Sequence, residues 1–167
     1  TSAFPDLESR FYEMIVALNA DPVRHEFEDP FLGETRLVWA DGDLILSLTF
    51  QLLYNSRLRY LLPQQIDAAT RGDFRAYDLA RASLIRLIEV SSRGMMVSVL
   101  CHDEVAFSSP EAHRVELARH PQVRSMFDGT ILGDLIYPLC GMWGVGEADP
   151  DADQPVSGDV PTLLMSG

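Results

Sequence analysis

Two adjacent carboxylates, Asp103 and Glu104, follow a short apolar run that ends at Cys101. The run Gly94–Cys101 is nearly continuous in apolar residues and lies between a glycine and a polar segment, which is typical of a central parallel strand. Ligands of α/β sheets bind at the carboxyl ends of such strands. A carboxylate there could hold an ammonium group through a charge-assisted hydrogen bond. The alternative is a solvated acidic pair at the end of a strand.

Metal-binding patterns in the sequence are incomplete. Asp149, Asp151 and Asp153 imitate the start of a calcium loop, but Gln154 stands where that loop needs glycine and Val160 where it needs glutamate. The four histidines have no zinc-type spacing with the two cysteines, so we expect each of them at the surface or at a helix cap. They are His25, His102, His113 and His120. No metal or cofactor is predicted.

Composition excludes several classes of function. The chain has 167 residues, of which 47% are hydrophobic and 23% charged, with a net charge of −12. So acidic a protein repels the phosphates of nucleic acid. All basic residues are arginines, which excludes Schiff-base chemistry on lysine. The longest apolar stretches are far shorter than the roughly 20 residues that span a bilayer, so no membrane-spanning segment is expected.

Hydrophobic periodicity predicts helices over most of residues 1–93. We expect one through Phe4 and Leu18, one capped by Asp43, one that begins at Pro63, and one from about Asp73 to Val90. The apolar stripes of these helices are interpreted as core packing. Between Val23 and Trp39 the pattern is weak and predicts at most one short strand, at residues 35–39.

From Gly94 the pattern changes to strand, helices and strand, which is typical of a parallel crossover unit. Helices are expected over Pro110–Arg119 and, in more broken form, over Thr130–Trp143. An acidic loop over residues 147–159 then leads into an apolar run, Pro161–Gly167, which is interpreted as a buried strand. Because such a strand needs neighbours on both sides, we expect the chain to be a fragment of a larger protein.

Three stretches, Gly94-Met-Met-Val-Ser-Val-Leu-Cys-His-Asp-Glu104, Cys140-Gly-Met-Trp143 and Asp159-Val-Pro-Thr-Leu-Leu-Met-Ser-Gly167, resemble a known family. They look like the later part of α/β-hydrolases of the proline iminopeptidase and tripeptidyl aminopeptidase-like (TAP-like) group. Upstream, Leu62-Pro63 and Arg71-Gly72-Asp73 are similar to that family's helical cap. No single motif carries the likeness, which rests on the order and spacing of all of them.

The resemblance implies an α/β-hydrolase fragment with a helical cap over residues 1–93 and part of the catalytic core, with two parallel strands, over residues 94–167. It implies a serine hydrolase that removes residues from peptide amino termini through an acyl-enzyme. The catalytic triad would lie outside this chain, so the chain alone would be inactive and would need the rest of the hydrolase. Its substrates would be peptides or small esters.

The resemblance also assigns individual residues. It implies that Glu104, or as second choice Asp103, binds the free amino terminus of the substrate. It favours a disulfide between Cys101 and Cys140, and with it an exported protein, because secreted members carry cysteines at similar places. The sequence itself leaves two free thiols open, since these are usual in cytosolic enzymes.

Other functions stay open at this point. The resemblance makes Gly94–Cys101 the sixth strand of the hydrolase sheet. Some α/β-hydrolases take their catalytic acid from after that strand, which is a rival role for Asp103 and Glu104. A carboxylesterase or lipase could use the same scaffold, and a leucine-lined cap pocket would favour it. The non-enzymatic alternative is a helical interaction module in which residues 1–93 bind a partner.

Overall fold

The computed structural model describes residues 3–146, 148–155, 157–161 and 163 of the chain. It divides into two compact units, Thr1–Ser91 and Ser92–Gly167. The first unit holds four helices and one hairpin. Its elements, in chain order, are α1 (Leu7–Ala20), β1 (Val23–Asp29), β2 (Glu34–Ala40), α2 (Gly42–Leu53), α3 (Leu62–Ala69) and α4 (Arg75–Val90).

Helix α1 confirms the predicted apolar stripe at the start of the chain. Phe11, Ile15 and Leu18 recur at helical spacing and are buried. Helix α2 begins two residues earlier than predicted, because Asp41 rather than Asp43 caps it. The Asp41 carboxylate accepts a hydrogen bond of 2.8 Å from the backbone N–H of Leu44.

The two helices α1 and α2 approach each other at Gly42. A Cβ atom at this position would lie 2.1 Å from the backbone carbonyl oxygen of Ile15, a distance that no real pair of atoms can adopt. The close approach buries Ile45 and Leu48 of α2 almost completely. Glycine at residue 42 therefore allows the core of the first unit to close.

Strands β1 and β2 form an antiparallel hairpin in which Val23 lies opposite Ala40 and Asp29 opposite Glu34. The prediction of at most one strand in this region is wrong. The turn between them places Gly33 at φ 68°, and the buried carboxylate of Asp29 accepts hydrogen bonds from the backbone N–H groups of Phe31 and Leu32.

Helix α4 was predicted with good bounds, but its apolar stripe is only partly core. Phe74 and Tyr77 of the predicted stripe are buried, as the pattern indicates. In contrast, Leu79, Leu87 and Ile88 are 46%, 60% and 42% exposed. The interpretation of the whole stripe as core packing is therefore wrong.

The second unit is helical wherever the structure describes regular structure. Its helices are α5 (Arg93–Val99), α6 (Pro110–Arg119), α7 (Arg124–Phe127) and α8 (Ile136–Trp143). One turn of π-helix, Leu100–Glu104, continues α5, and short 3₁₀ turns follow it at Val105–Phe107 and Pro121–Val123. Helix α6 confirms the prediction: Ser109 caps it, with Pro110 in the first turn. The broken helix predicted from Thr130 is regular only from Ile136.

The predicted strand Gly94–Cys101 is wrong, because these residues continue from α5 into the π-helical turn. The hydroxyl of Ser92 caps this helix by accepting a hydrogen bond from the backbone N–H of Met95. A short apolar run can form either a buried strand or a buried helix, because its composition is the same in both. Here Ser92 caps the run as a helix.

The predicted fold class is wrong as well. Within the described residues the hairpin of β1 and β2 is the sheet, and its strands are antiparallel. No parallel strand crossover exists there, so the structure is not that of an α/β-hydrolase fragment. Of the strand predicted at Pro161–Gly167, residues 162 and 164–167 lie outside the described residues, and Pro161 and Leu163 are not in a strand. No helix in the described part of the chain is both long enough and apolar enough to cross a bilayer.

Candidate functional site

The two carboxylates that the sequence singles out, Asp103 and Glu104, lie next to each other in the π-helical turn Leu100–Glu104 but have different surroundings. The side chain of Asp103 turns to its neighbour His102, with Oδ1 2.7 Å from the ring nitrogen Nδ1. The side chain of Glu104 makes no hydrogen bond or ion pair within the described residues, and it lines a pocket of the second unit.

The pocket beside Glu104, which we term the Glu104 pocket, has a volume of about 330 Å³. This volume lies at the lower end of the range for small-molecule sites. Its apolar wall consists of Leu100, Ile131, Leu132 and Ile136. An apolar wall with one carboxylate at its edge suits a ligand that carries a cation beside a hydrocarbon group.

Three further polar side chains line the Glu104 pocket. The hydroxyl oxygens of Ser108 and Tyr137 lie 2.9 Å apart and share a hydrogen bond. The ring of His113 packs against Tyr137, with 6.0 Å between ring centroids, and its Nε2 atom is buried without a hydrogen-bond partner. A buried nitrogen without a partner costs on the order of 1–3 kcal/mol. The expectation of a surface or capping histidine does not hold for His113.

These three residues were missed by the sequence analysis. Ser108 lies next to the helix cap Ser109, and its partner Tyr137 is 29 residues away along the chain. Local spacing has no information on such a pairing. The one signal in the sequence was the position of His113, one turn after the helix cap Ser109.

Cys101 and Cys140 form a disulfide, with 5.3 Å between their Cα atoms. It joins the π-helical turn to α8, and Cys101 is buried together with Val97 and Ile136. Trp143 connects α8 to α5, the helix that continues into this turn, since its indole N–H donates a 2.9 Å hydrogen bond to the hydroxyl of Ser98. These links fix the turn that carries Glu104 relative to Ile136 and Tyr137.

A separate polar cluster lies in the first unit, around Asp78 of α4. The Asp78 carboxylate is buried, and its oxygens lie 2.7 Å from Nε2 of His25 and 3.7 Å from a guanidinium nitrogen of Arg81. The ring of His25 also packs against Phe74. The cluster connects β1 to α4, which is a structural role.

Arginine side chains lower the pKa of two carboxylates of the first unit, Asp67 and Asp73. Hydrogen bonds from Arg75 lower the pKa of Asp73 to about 2. Hydrogen bonds from Arg71 and then Arg10 lower the pKa of Asp67 below its usual 3.8. Neither carboxylate is part of the Glu104 pocket.

No group of three or more potential metal ligands occurs among the residues that the structure describes. The chain was also compared with known proteins. No protein-family model, no curated protein and no solved structure matches it.

Proposed function

We propose that the second unit binds small molecules that carry a primary ammonium group next to an apolar side chain, as the amino-terminal residue of a peptide does. The observation that carries the proposal is the location of Glu104, an unpaired carboxylate at the edge of an apolar pocket. In the proposed complex this carboxylate accepts hydrogen bonds from the ammonium group.

The rest of the pocket suits the remaining atoms of such a ligand. Leu100, Ile131 and Ile136 offer an apolar surface to a hydrocarbon side chain. The hydroxyls of Ser108 and Tyr137 can donate a hydrogen bond to a carbonyl oxygen, since each hydroxyl has one hydrogen and the pair uses one of the two. A ligand with a free amino terminus would contact both Glu104 and the hydroxyls, whereas a blocked one would lack the ion pair with Glu104.

The size of the charge contribution follows from exposure. Glu104 is exposed, so water screens its attraction to a cation, and exposed ion pairs contribute about 0.2–1 kcal/mol. A hydrogen bond to a charged group contributes about 1.5–3 kcal/mol where solvent is excluded. A ligand that partly covers Glu104 falls between these values, and we expect a threefold to tenfold effect on affinity.

Calorimetry on the full chain with leucinamide and with N-acetyl-leucinamide tests the proposal. Leucinamide should bind more tightly, and Glu104→Gln should weaken it threefold to tenfold without affecting the blocked compound. Asp103→Asn is the matched control, because this neighbouring carboxylate pairs with His102 and does not line the pocket. Equal binding of the two ligands, or an equal loss in both variants, would contradict the role of Glu104.

Release of amino-terminal residues by an intact serine hydrolase stays a prediction. The pocket would contribute to it by binding the first residue of the peptide. A peptidase assay with free and acetylated amino-acid anilides tests that activity separately from the binding measurement.

A further inference from the structure

Each cysteine of the disulfide in the second unit belongs to a segment that lines the Glu104 pocket. Cys101 lies in the π-helical turn, between the lining residues Leu100 and Glu104. Cys140 lies in α8, which contributes Tyr137 to the same lining. The disulfide therefore joins the segment that carries the carboxylate of the pocket to a segment that carries one of its hydroxyls.

Ion pairs do not provide a second link between these two segments. In the described part of the second unit, every ion pair joins residues that are close together in the sequence. The pairs are His102–Asp103, Glu111–Arg114, Glu116–Arg119, Glu116–His120 and Arg124–Asp128. None of them holds the turn against α8.

The noncovalent contacts between the turn and α8 are a small cluster and its polar edge. Cys101 of the turn and Ile136 of α8 are buried in one hydrophobic cluster, and Cys101 is itself half of the disulfide. The hydrogen bond between Ser108 and Tyr137 is exposed, so water competes with it. The covalent bond is therefore the main constraint on the distance between the turn and α8.

From this arrangement we propose that the Cys101–Cys140 bond controls the affinity of the Glu104 pocket for its ammonium ligand. The inference rests on the proposed function and adds to it a regulation by thiols. Reduction occurs by thiol–disulfide exchange: two thiols of the reductant are oxidised to a disulfide, while Cys101 and Cys140 each gain one electron and one proton and become thiols. In the reduced chain the turn can move away from α8, so Glu104 and Tyr137 no longer meet the same ligand.

The size of the effect depends on the fraction of reduced molecules that keep the binding arrangement, because the apparent affinity falls in proportion to that fraction. A fraction of about one tenth gives a tenfold loss, which is in the usual range for coupling between two sites. Such coupling is reciprocal, so saturating ligand favours the oxidised chain by the same factor. For this two-electron couple, a tenfold change corresponds to about 30 mV.

Calorimetry of leucinamide binding to the oxidised chain and to the chain reduced with dithiothreitol tests the coupling. We expect the reduced chain to bind leucinamide about tenfold more weakly. The chain has two cysteines, so the reductant acts on this bond alone. The double variant Cys101→Ala, Cys140→Ala is the matched control: its affinity should be as low as that of the reduced chain, and dithiothreitol should not change it.

The possible results separate this inference from the proposed function. If the oxidised chain does not bind leucinamide, the proposed function is wrong and the inference fails with it. If the oxidised chain binds and reduction leaves the affinity unchanged, the pocket keeps its function and only the control by the disulfide is overturned. Far-ultraviolet circular dichroism of the reduced chain should keep its helical signal. Loss of that signal would show that the bond supports the fold of the whole unit, which would overturn a local effect on the pocket.

Equilibration in glutathione buffers measures the reciprocal effect. At a leucinamide concentration tenfold above its Kd for the oxidised chain, the ratio of disulfide to dithiol should rise about fivefold, as read by mass spectrometry after alkylation of free thiols. At the same concentration Glu104→Gln should limit the rise to about twofold to threefold. Asp103→Asn, in which the lost carboxylate is the one that pairs with His102, should leave it unchanged. An unchanged ratio in the wild type, while calorimetry shows binding, would overturn the proposal.

Discussion

At the scale of single residues, the burial of Tyr77 makes the stability of the fold depend on pH. Its side chain is almost fully buried and its hydroxyl lies 3.0 Å from that of Thr49. Burial raises the pKa of Tyr77 above its usual 10.0, because the phenolate is poorly solvated in the core. The folded state thus binds the proton more tightly than the unfolded state. The resulting contribution to stability is fully present below pH 10 and is lost as the pH rises through the higher pKa of the folded state.

We therefore expect the free energy of unfolding to fall above pH 10 in the wild type, and to fall less in Tyr77→Phe. At pH 7 the variant should lose only about 0.5–1 kcal/mol, since Thr49 still donates its hydroxyl hydrogen to the carbonyl of Ile45. Urea unfolding of both proteins at pH 7 and above pH 10 measures the loss of stability at neutral pH and the fall in stability at alkaline pH. The same alkaline slope in both proteins would show that Tyr77 does not titrate in this range.

At the scale of elements, the contact of α1 with α2 requires a residue without a side chain at position 42, which is Gly42. Gly42→Ala would place a methyl group 2.1 Å from the Ile15 carbonyl, against backbone that cannot move alone. We expect a loss of about 2–3 kcal/mol or more, as for overpacked cores. Gly141→Ala in α8, where the added methyl group would contact only the adjacent backbone of its own helix, should instead be neutral or stabilise by up to about 1 kcal/mol. Thermal unfolding compares them, and similar midpoints would contradict the packing of α1 on α2.

The elements also show how far the sequence could be interpreted. The long helices were predictable because their apolar residues repeat over several turns, as in α1 and α4. Strand β1 was not, because the side chains that alternate inward include the polar His25 and Asp29, which a hydrophobic pattern does not detect. The run at Gly94 was too short to distinguish strand from helix, and the cap at Ser92 was overlooked.

The candidate site was predictable to a smaller extent. Glu104 was singled out because a parallel strand was expected to end beside it and because the resemblance implied an amino-terminus site there. The strand is wrong, and Glu104 nevertheless lines a pocket. The other polar residues of the pocket come from distant parts of the sequence, so their meeting depends on tertiary packing. The same holds for the apolar stripe of α4: periodicity identified this stripe but could not tell which of its residues are covered and which are exposed.

At the scale of the whole molecule, the two units differ in the size of their cores. Buried hydrophobic residues of the first unit come from every helix and from β2. Among the described residues of the second unit, Val97, Cys101, Met126 and Ile136 are the buried hydrophobic ones. Burial of apolar surface is the main stabilising contribution to folding, so the second unit should be the less stable one.

We expect amides of α6 and α8 to exchange with solvent faster than those of α1 and α2, and the second unit to unfold at lower urea. Reduction should lower that transition further, since a crosslink over a 39-residue separation stabilises by about 4 kcal/mol in the chain-entropy model. The first unit has no cysteine, so its transition should not move. A single transition that shifts as a whole on reduction would contradict this order of unfolding.

The bond between Cys101 and Cys140 also has a consequence for how damage to the chain would be observed. A protease that cuts anywhere between these residues produces two peptides that stay covalently joined. On a denaturing gel without thiol the cut protein would contain one species of unchanged mass, and the two peptides would separate only after reduction. A preparation judged intact under oxidising conditions could thus be cleaved throughout the region that contains α6 and the hydroxyl of Ser108.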